Sequence, residues 1–238
     1  MVMGRALFTL LVMPIAALST ARAEGAGGIQ IAPVMVAMSA NHHISSLRLR
    51  NGRDRAVSFE ADIYAWSQQD GEDVLTPTRD VLISPGVFEI PAGHEQVVRL
   101  GVVTPDGQQE RAYRLVMREL PSPTPRTNTH GFTLEMSLPV FVTPVGARPD
   151  LVSRIERAQG ATRLLIANQG AAHLQILGAE ESSAGALHAP RYLLPGSDVT
   201  IELAPNAETV RLDIADLTGA RSVRTIDVAP PGSGNPGR

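Results

Sequence analysis

The side chains able to do chemistry are few in kind. All 21 basic residues of the 238-residue chain are arginine, and Cys 0 leaves no thiol. Lysine-based catalysis, a cysteine nucleophile, a disulfide scaffold and a thiolate metal site are therefore excluded. His42 and His43 are adjacent, and neighbours on a strand point to opposite faces, so they do not readily share an ion. With no third ligand at metal spacing, they read as an exposed turn. Ser, His and Asp are scattered, and no Gly-x-Ser-x-Gly elbow presents a nucleophile. Asp70-Gly71-Glu72-Asp73 lacks the ligand spacing of a calcium loop and reads as a hairpin turn. Glycines fall at turns and in the C-terminal tail, so there is no phosphate loop. The chain is therefore expected to be no enzyme and to carry no metal and no cofactor. Tyr64 and Trp66 could stack on a sugar, which leaves a secreted carbohydrate-binding or adhesive module as an alternative function. A net charge of −3 and a pI of about 6.1 argue against a nucleic-acid partner.

The sharpest signal is a pattern rather than a constellation. Phe132, Leu134, Met136, Leu138, Val140 and Val142 occupy every even position from 131 to 143, with Thr133, Glu135, Ser137 and Pro139 between them. Such alternation marks a strand with one apolar face. Drawn out at about 3.3 Å per residue, the apolar positions extend over about 33 Å. Pro139 has no N–H to donate and belongs at an edge or a bulge. From the pattern alone two readings stand. One is an ordinary core strand; the other is an edge strand that lends its backbone and even side chains to another chain. An apolar edge of this length aggregates unless something covers it.

The elements that must position this strand are themselves strands. Ile44–Leu49 ends at Asn51-Gly52, and Val57–Trp66, Val81–Ile83, Val97–Leu100 and Tyr113–Met117 alternate between Gly, Pro, Asn and Asp breaks. Further on, Arg163–Ala167, Leu174–Leu177, Val199–Leu203, Val210–Ile214 and Val223–Val228 do the same. Pro144 to Pro149 reads as a connection between two halves, and all mature aromatics except Tyr192 precede it. At the N-terminus, Arg5, the apolar run Ala6–Ala17 and Ala21-Arg22-Ala23 have the layout of a cleavable leader. No stretch reaches the ~20 apolar residues of a membrane span, so direct membrane insertion is not expected. The expected organisation is a signal peptide at 1–23, a first domain at 24–144, a linker at 145–149, a second domain at 150–229 and a tail at 230–238. The expected fold is all-β, with two tandem immunoglobulin-like sandwiches in an L or boomerang arrangement.

Several of these segments together resemble a known family. Ile31-Ala32-Pro33-Val34, Trp66 with Asp70-Gly71, Ser84-Pro85 through Phe88, Pro91-Ala92-Gly93, Gln96 and Arg99-Leu100 occur in order. Tyr113-Arg114-Leu115-Val116-Met117-Arg118-Glu119-Leu120-Pro121 and Leu138-Pro139-Val140-Phe141-Val142 follow them. The series is similar to the periplasmic chaperones of chaperone–usher pilus assembly, and its last segment is most like the archaic branch. The resemblance implies a periplasmic protein that binds pilin-like subunits and delivers them to an outer-membrane usher. It implies that Phe132, Leu134, Met136 and Leu138 fill the groove of a subunit lacking its final strand. It leaves open whether the free protein self-associates through that strand. The family anchors the subunit's C-terminal carboxylate with two basic residues, at positions matching Met35 and Pro139, and neither is basic here. Arg114, with Arg118 and Arg99 behind it, is the candidate replacement. Arg48, Arg50, Arg53 and Arg55 are expected only to cap a strand and turn.

Overall fold

A strand with one apolar face is stable only when a second sheet closes over that face. The computed structural model, which describes residues 27–39, 41–103, 107–121 and 133–228, contains two such closures in succession. The leader expected at 1–23, Phe132 and the tail expected at 230–238 lie outside the described residues. Among the described residues there are strands, turns and bends, and no helix.

In the first half, one sheet runs in the order β1 (Ile29–Ala32), β3 (Ile44–Asn51), β8 (Glu95–Val102) and β6 (Val81–Ser84). The other runs β2 (Val36–Met38), β10 (Glu135–Val142), β9 (Arg111–Glu119), β4 (Val57–Gln69) and β5 (Glu72–Pro77), with β7 (Val87–Ile90) also pairing β4. Among the described residues of this half, only β2 and β10 pair in parallel. Leu47, Leu49, Val98 and Leu100 from one sheet meet Phe59, Leu115, Met117 and Val140 from the other in a buried apolar core. Asp70 and Gly71, both at positive φ, make the hairpin between β4 and β5 that the sequence predicts.

The second half repeats the plan with shorter sheets. One contains β11 (Leu151–Ala158), β12 (Ala161–Asn168) and β16 (Asp198–Leu203). The other contains β14 (Gly185–Ala186), β13 (Leu174–Glu181), β17 (Thr209–Ala215) and β18 (Arg221–Asp227), with β15 (Tyr192–Leu193) pairing β13. Leu164, Ile166, Leu174, Val210 and Leu212 lie at its centre. The chain is thus two immunoglobulin-like sandwiches in tandem.

One local device occurs in both halves. Asn51 ends β3 and Asn168 ends β12, and each amide is buried. Asn51 Nδ2 donates to the carbonyls of Arg55 and Ile90, and Oδ1 accepts from Arg53 N. Asn168 Nδ2 donates to the carbonyls of Ala172 and Leu193, and Oδ1 accepts from the amides of Asp150 and Gly170. The chain passes closely just beyond each asparagine, and a glycine stands there. A Cβ on Gly170 would overlap the Arg148 carbonyl oxygen, and one on Gly52 would sit 3.0 Å from Gly28's.

Two predictions arise from this packing. A buried backbone group left unpaired costs about 1–3 kcal/mol, and Asn168→Ala removes the partner of two buried carbonyls and of two part-buried amides. It should lower the unfolding free energy by about 2–4 kcal/mol, read from urea denaturation. The second concerns Tyr113, whose hydroxyl donates to Asp80 Oδ2 at 3.1 Å. Burial, with a smaller contribution from Asp80, pushes its pKa up to about 12. An unfolded tyrosine ionises near 10, so the stability that neutral Tyr113 contributes is complete below about pH 10 and is lost between there and pH 12. The urea midpoint should therefore fall between about pH 10 and 12, and Tyr113→Phe should make that fall shallower.

Candidate interaction site

The even side chains of β10 point into the first sandwich, and its odd ones point out. Leu138, Val140 and Val142 belong to the core, while Leu134 and Met136 pack against it half covered. The backbone alternates in the same way. Glu119 N donates to Leu134 O at 2.8 Å, so the pairs Met136–Met117 and Leu138–Leu115 likewise turn their peptide groups toward β9. The groups of Thr133, Glu135 and Ser137 therefore face the opposite side. β2 occupies that side only at Val140–Val142. Pro139 stands where the covered stretch begins and contributes a carbonyl but no N–H. Among the described residues, positions 133–138 have no strand along this edge.

Of the four side chains expected to serve a partner, the structure brings Leu134, Met136 and Leu138 into one row, and Phe132 lies outside the described residues. Leu138 differs from the other two. It is 4% exposed inside the first sandwich's own core, so it cannot enter a partner without leaving a cavity behind. Leu134 and Met136 can be covered further without unpacking anything.

Beyond the end of β10 the two halves meet. Trp66, Ala112, Phe141 and Leu194 form a buried cluster with Met35 and Tyr192 against it. His173 stacks on Phe141, with ring centroids 3.6 Å apart. The Glu110 carboxylate, wholly buried, accepts from His173 N at 2.9 Å, from His173 Nδ1 at 2.7 Å and from Thr143 Oγ1 at 2.6 Å. Gln68 joins the halves again, donating to Tyr192 O and accepting from Leu194 N. None of these contacts has a sequence signature, because the partners are far apart in the chain. Trp66 is 4% exposed in this cluster, with no free ring face like that required for stacking on a sugar.

The three candidate arginines lie in three different places. Arg114 is opposite Pro139 on β9 and stands at the mouth between the halves. Its guanidinium lies 3.7 Å over the Trp66 ring and its Nη2 is 3.1 Å from Asp73 Oδ2, with the side chain 17% exposed. It lines a cavity of about 400 Å³ with Gln68 and Asp73 of the first half and Arg191, Tyr192 and Thr200 of the second. Arg118, on the same face of β9, pairs instead with Asp62 and Glu135. Hydrogen bonding to Tyr64 raises its pKa further. Arg99 is exposed on β8, in the other sheet. Only Arg114 combines a position beside β10 with a wall of the cavity. Met35 packs against the junction cluster, and Pro139 is buried opposite Arg114.

Comparison with known proteins places this architecture. Residues 28–148 match the family model of the pili and flagellar-assembly chaperones, PapD N-terminal domain. No curated protein matches by sequence. Among solved structures, the fold is similar to the CsuC–CsuE chaperone–tip adhesion subunit pre-assembly complex from archaic chaperone–usher Csu pili of Acinetobacter baumannii. That match has 21% identity and a TM-score of 0.67, covering 84% of this chain and 98% of that one. The Salmonella enterica SafA pilin–SafB chaperone complex matches at 13% identity and TM-score 0.65, over 84% and 96% of the chains. The E. coli chaperone DraB matches at 12% and 0.62, over 84% and 98%. With the family model covering the whole of the first sandwich and the fold of the second agreeing, the chain belongs to the pilus and flagellar-assembly chaperones.

Proposed function

We propose that this protein is a periplasmic chaperone of the archaic chaperone–usher type, carried across the inner membrane by residues 1–23. It captures pilin-like subunits by donor-strand complementation and hands them to an outer-membrane usher. The observation that carries this reading is the uncovered edge of β10 beside two half-covered apolar side chains. An immunoglobulin-like subunit without its last strand has the matching defect, an unpaired strand edge and an open apolar groove. Pairing the two edges satisfies the outward peptide groups of Thr133, Glu135 and Ser137, while Leu134, Met136 and Phe132 enter the groove. Each such side chain contributes on the order of 1.5–3 kcal/mol if fully buried, before ordering costs. Leu134 and Met136, already half covered, contribute less. The same edge allows two free copies to cap each other.

Arg114 is the residue best placed to hold the subunit's C-terminal carboxylate. Its fork can bind a carboxylate through two parallel hydrogen bonds, and the Trp66 ring fixes its plane. Its present partner, Asp73, is partly exposed and is free to return to water when a carboxylate takes its place.

Two predictions test this reading. The double variant Leu134→Asp/Met136→Asp should remain folded yet lose co-purification with a pilin-type subunit expressed in the same periplasm. A folded double variant that still brings down the subunit removes the strand from the mechanism. Arg114→Ala should weaken capture tenfold or more, with Arg114→Lys intermediate because an ammonium cannot reproduce the planar fork. Equal capture by all three proteins would assign the anchor elsewhere.

A further inference from the structure

The start of β10 is held by more than its ladder. At Glu119 the backbone N–H donates to Leu134 O at 2.8 Å, and the carboxylate reaches back to the same residue, Oε2 accepting from Leu134 N at 3.3 Å. The other oxygen, Oε1, accepts from Arg53 Nη1 at 2.6 Å, with Arg55 Nη2 at 3.9 Å. This carboxylate is 8% exposed, so its pairing with Arg53 is far less screened than a surface pair. Arg53 is in turn fixed by the turn it occupies. Asn51 Oδ1 accepts from Arg53 N, and Asn51 Nδ2 donates to Arg55 O. A chain of bonds therefore runs from the end of β3, through a two-arginine turn and one carboxylate, to the amide at which β10 begins.

That amide lies just before the open end of the strand. Among the described residues, the strand has β9 on one side only from Glu135 to Leu138, and β2 supports it from Pro139 onward. A strand end on a single ladder frays. Its fraying would disorder Leu134 and Met136, the two side chains that remain available to a partner. We propose that Glu119, oriented by Arg53, is a positioning residue. It fixes where the lent segment begins and holds Leu134 and Met136 extended before a subunit arrives. The inference rests on the reading of β10 as a lent strand, and it gives Arg53 a role in presenting that strand. Pre-ordering the strand removes from the capture step the entropy of straightening it, so the effect belongs in the rate of capture as well as in the free protein.

The test uses the whole mature protein and two readouts. Amide exchange by NMR at Leu134 and Met136 reports the clamp directly in the free chaperone. The rate at which a urea-denatured pilin-type subunit is captured on dilution reports its consequence. In Glu119→Ala and Arg53→Ala, exchange at Leu134 and Met136 should accelerate tenfold or more while amides of β4 keep wild-type protection. Capture should slow several-fold. Arg53→Lys should recover much of both, because an ammonium still pairs with Glu119. Wild-type exchange at Leu134 in either folded alanine variant overturns the proposal. So does acceleration that is equal in β4 and β10, which would show a general loss of stability. Should Glu119→Ala not fold, Arg53→Ala decides alone, since it leaves both strands of the ladder untouched. Wild-type protein that captures no subunit would instead overturn the proposed function, with the exchange readout still deciding the clamp.

Discussion

A strand with one neighbour turns half of its peptide groups outward, and those groups must meet either water or another chain. In this molecule the exposed length of β10 is created by the path of the first strand segments. β2 pairs in parallel with β10, Val36 opposite Val140. Continued backward in that register, Gln30 to Val34 would lie beside Leu134 to Leu138 and close the edge. Instead the chain crosses between sheets at Pro33 to Met35, and β1 pairs with β3 in the opposite sheet, Ile31 opposite Leu49. Both proline positions serve the same end. Pro33 has no N–H with which to extend β2 toward β1, and Pro139 has none to offer at the point where β2 begins. The open segment is thus bounded by backbone chemistry rather than by the length of the apolar pattern.

β18, one of the edge strands of the second half, is treated differently. In β18, Arg224 stands opposite Leu212, a residue at the centre of that sandwich, so an arginine occupies an inward position on an exposed edge. An inward charge at an edge discourages another strand from adding there. The inward positions at the open end of β10 carry Leu134 and Met136. The contrast lies between two edges of one chain, one protected by charge and one left apolar, and it favours pairing at β10 over β18.

Much of the fold is legible in the order of the amino acids, and the limit of what can be read there has a physical cause. Period-two alternation reports faces, so β3, β4, β9, β10, β12, β16 and β17 can be located from it, and Asp70-Gly71 declares its hairpin through turn chemistry. Alternation does not report edges. Nothing in Leu134, Met136 and Leu138 distinguishes the first two, half covered, from the third, buried, because the difference depends on where β2 ends across the sheet. The division of the first strand between two sheets is hidden for the same reason. Arg53 reads as a turn residue, since its partner Glu119 lies in a different strand and only the closed sandwich brings them within 2.6 Å. Arg114 can be singled out by its place beside Tyr113, but not its stacking on Trp66, which requires two strands in register.

The two ends of β10 are fixed by different kinds of interaction, and the difference suits a strand that must stay rigid without being covered. At its end, Phe141 is wedged against His173, Trp66 and Tyr192, and Thr143 donates to a carboxylate that also takes two bonds from His173. A buried carboxylate leaves water only when its hydrogen bonds are replaced. Separating the halves would therefore strand Glu110 as well as expose the aromatic cluster, and this ties the far end of β10 to the second sandwich. At its start the strand edge itself stays open, because covering it would close the edge, and only the carboxylate that holds it is buried. A charged pair with Arg53 and a doubled bond to Leu134 hold it there instead, since hydrogen bonds and ion pairs are directional and can fix a backbone from one side only. Between these points the strand is held by one ladder, and has peptide groups and two apolar side chains left to share.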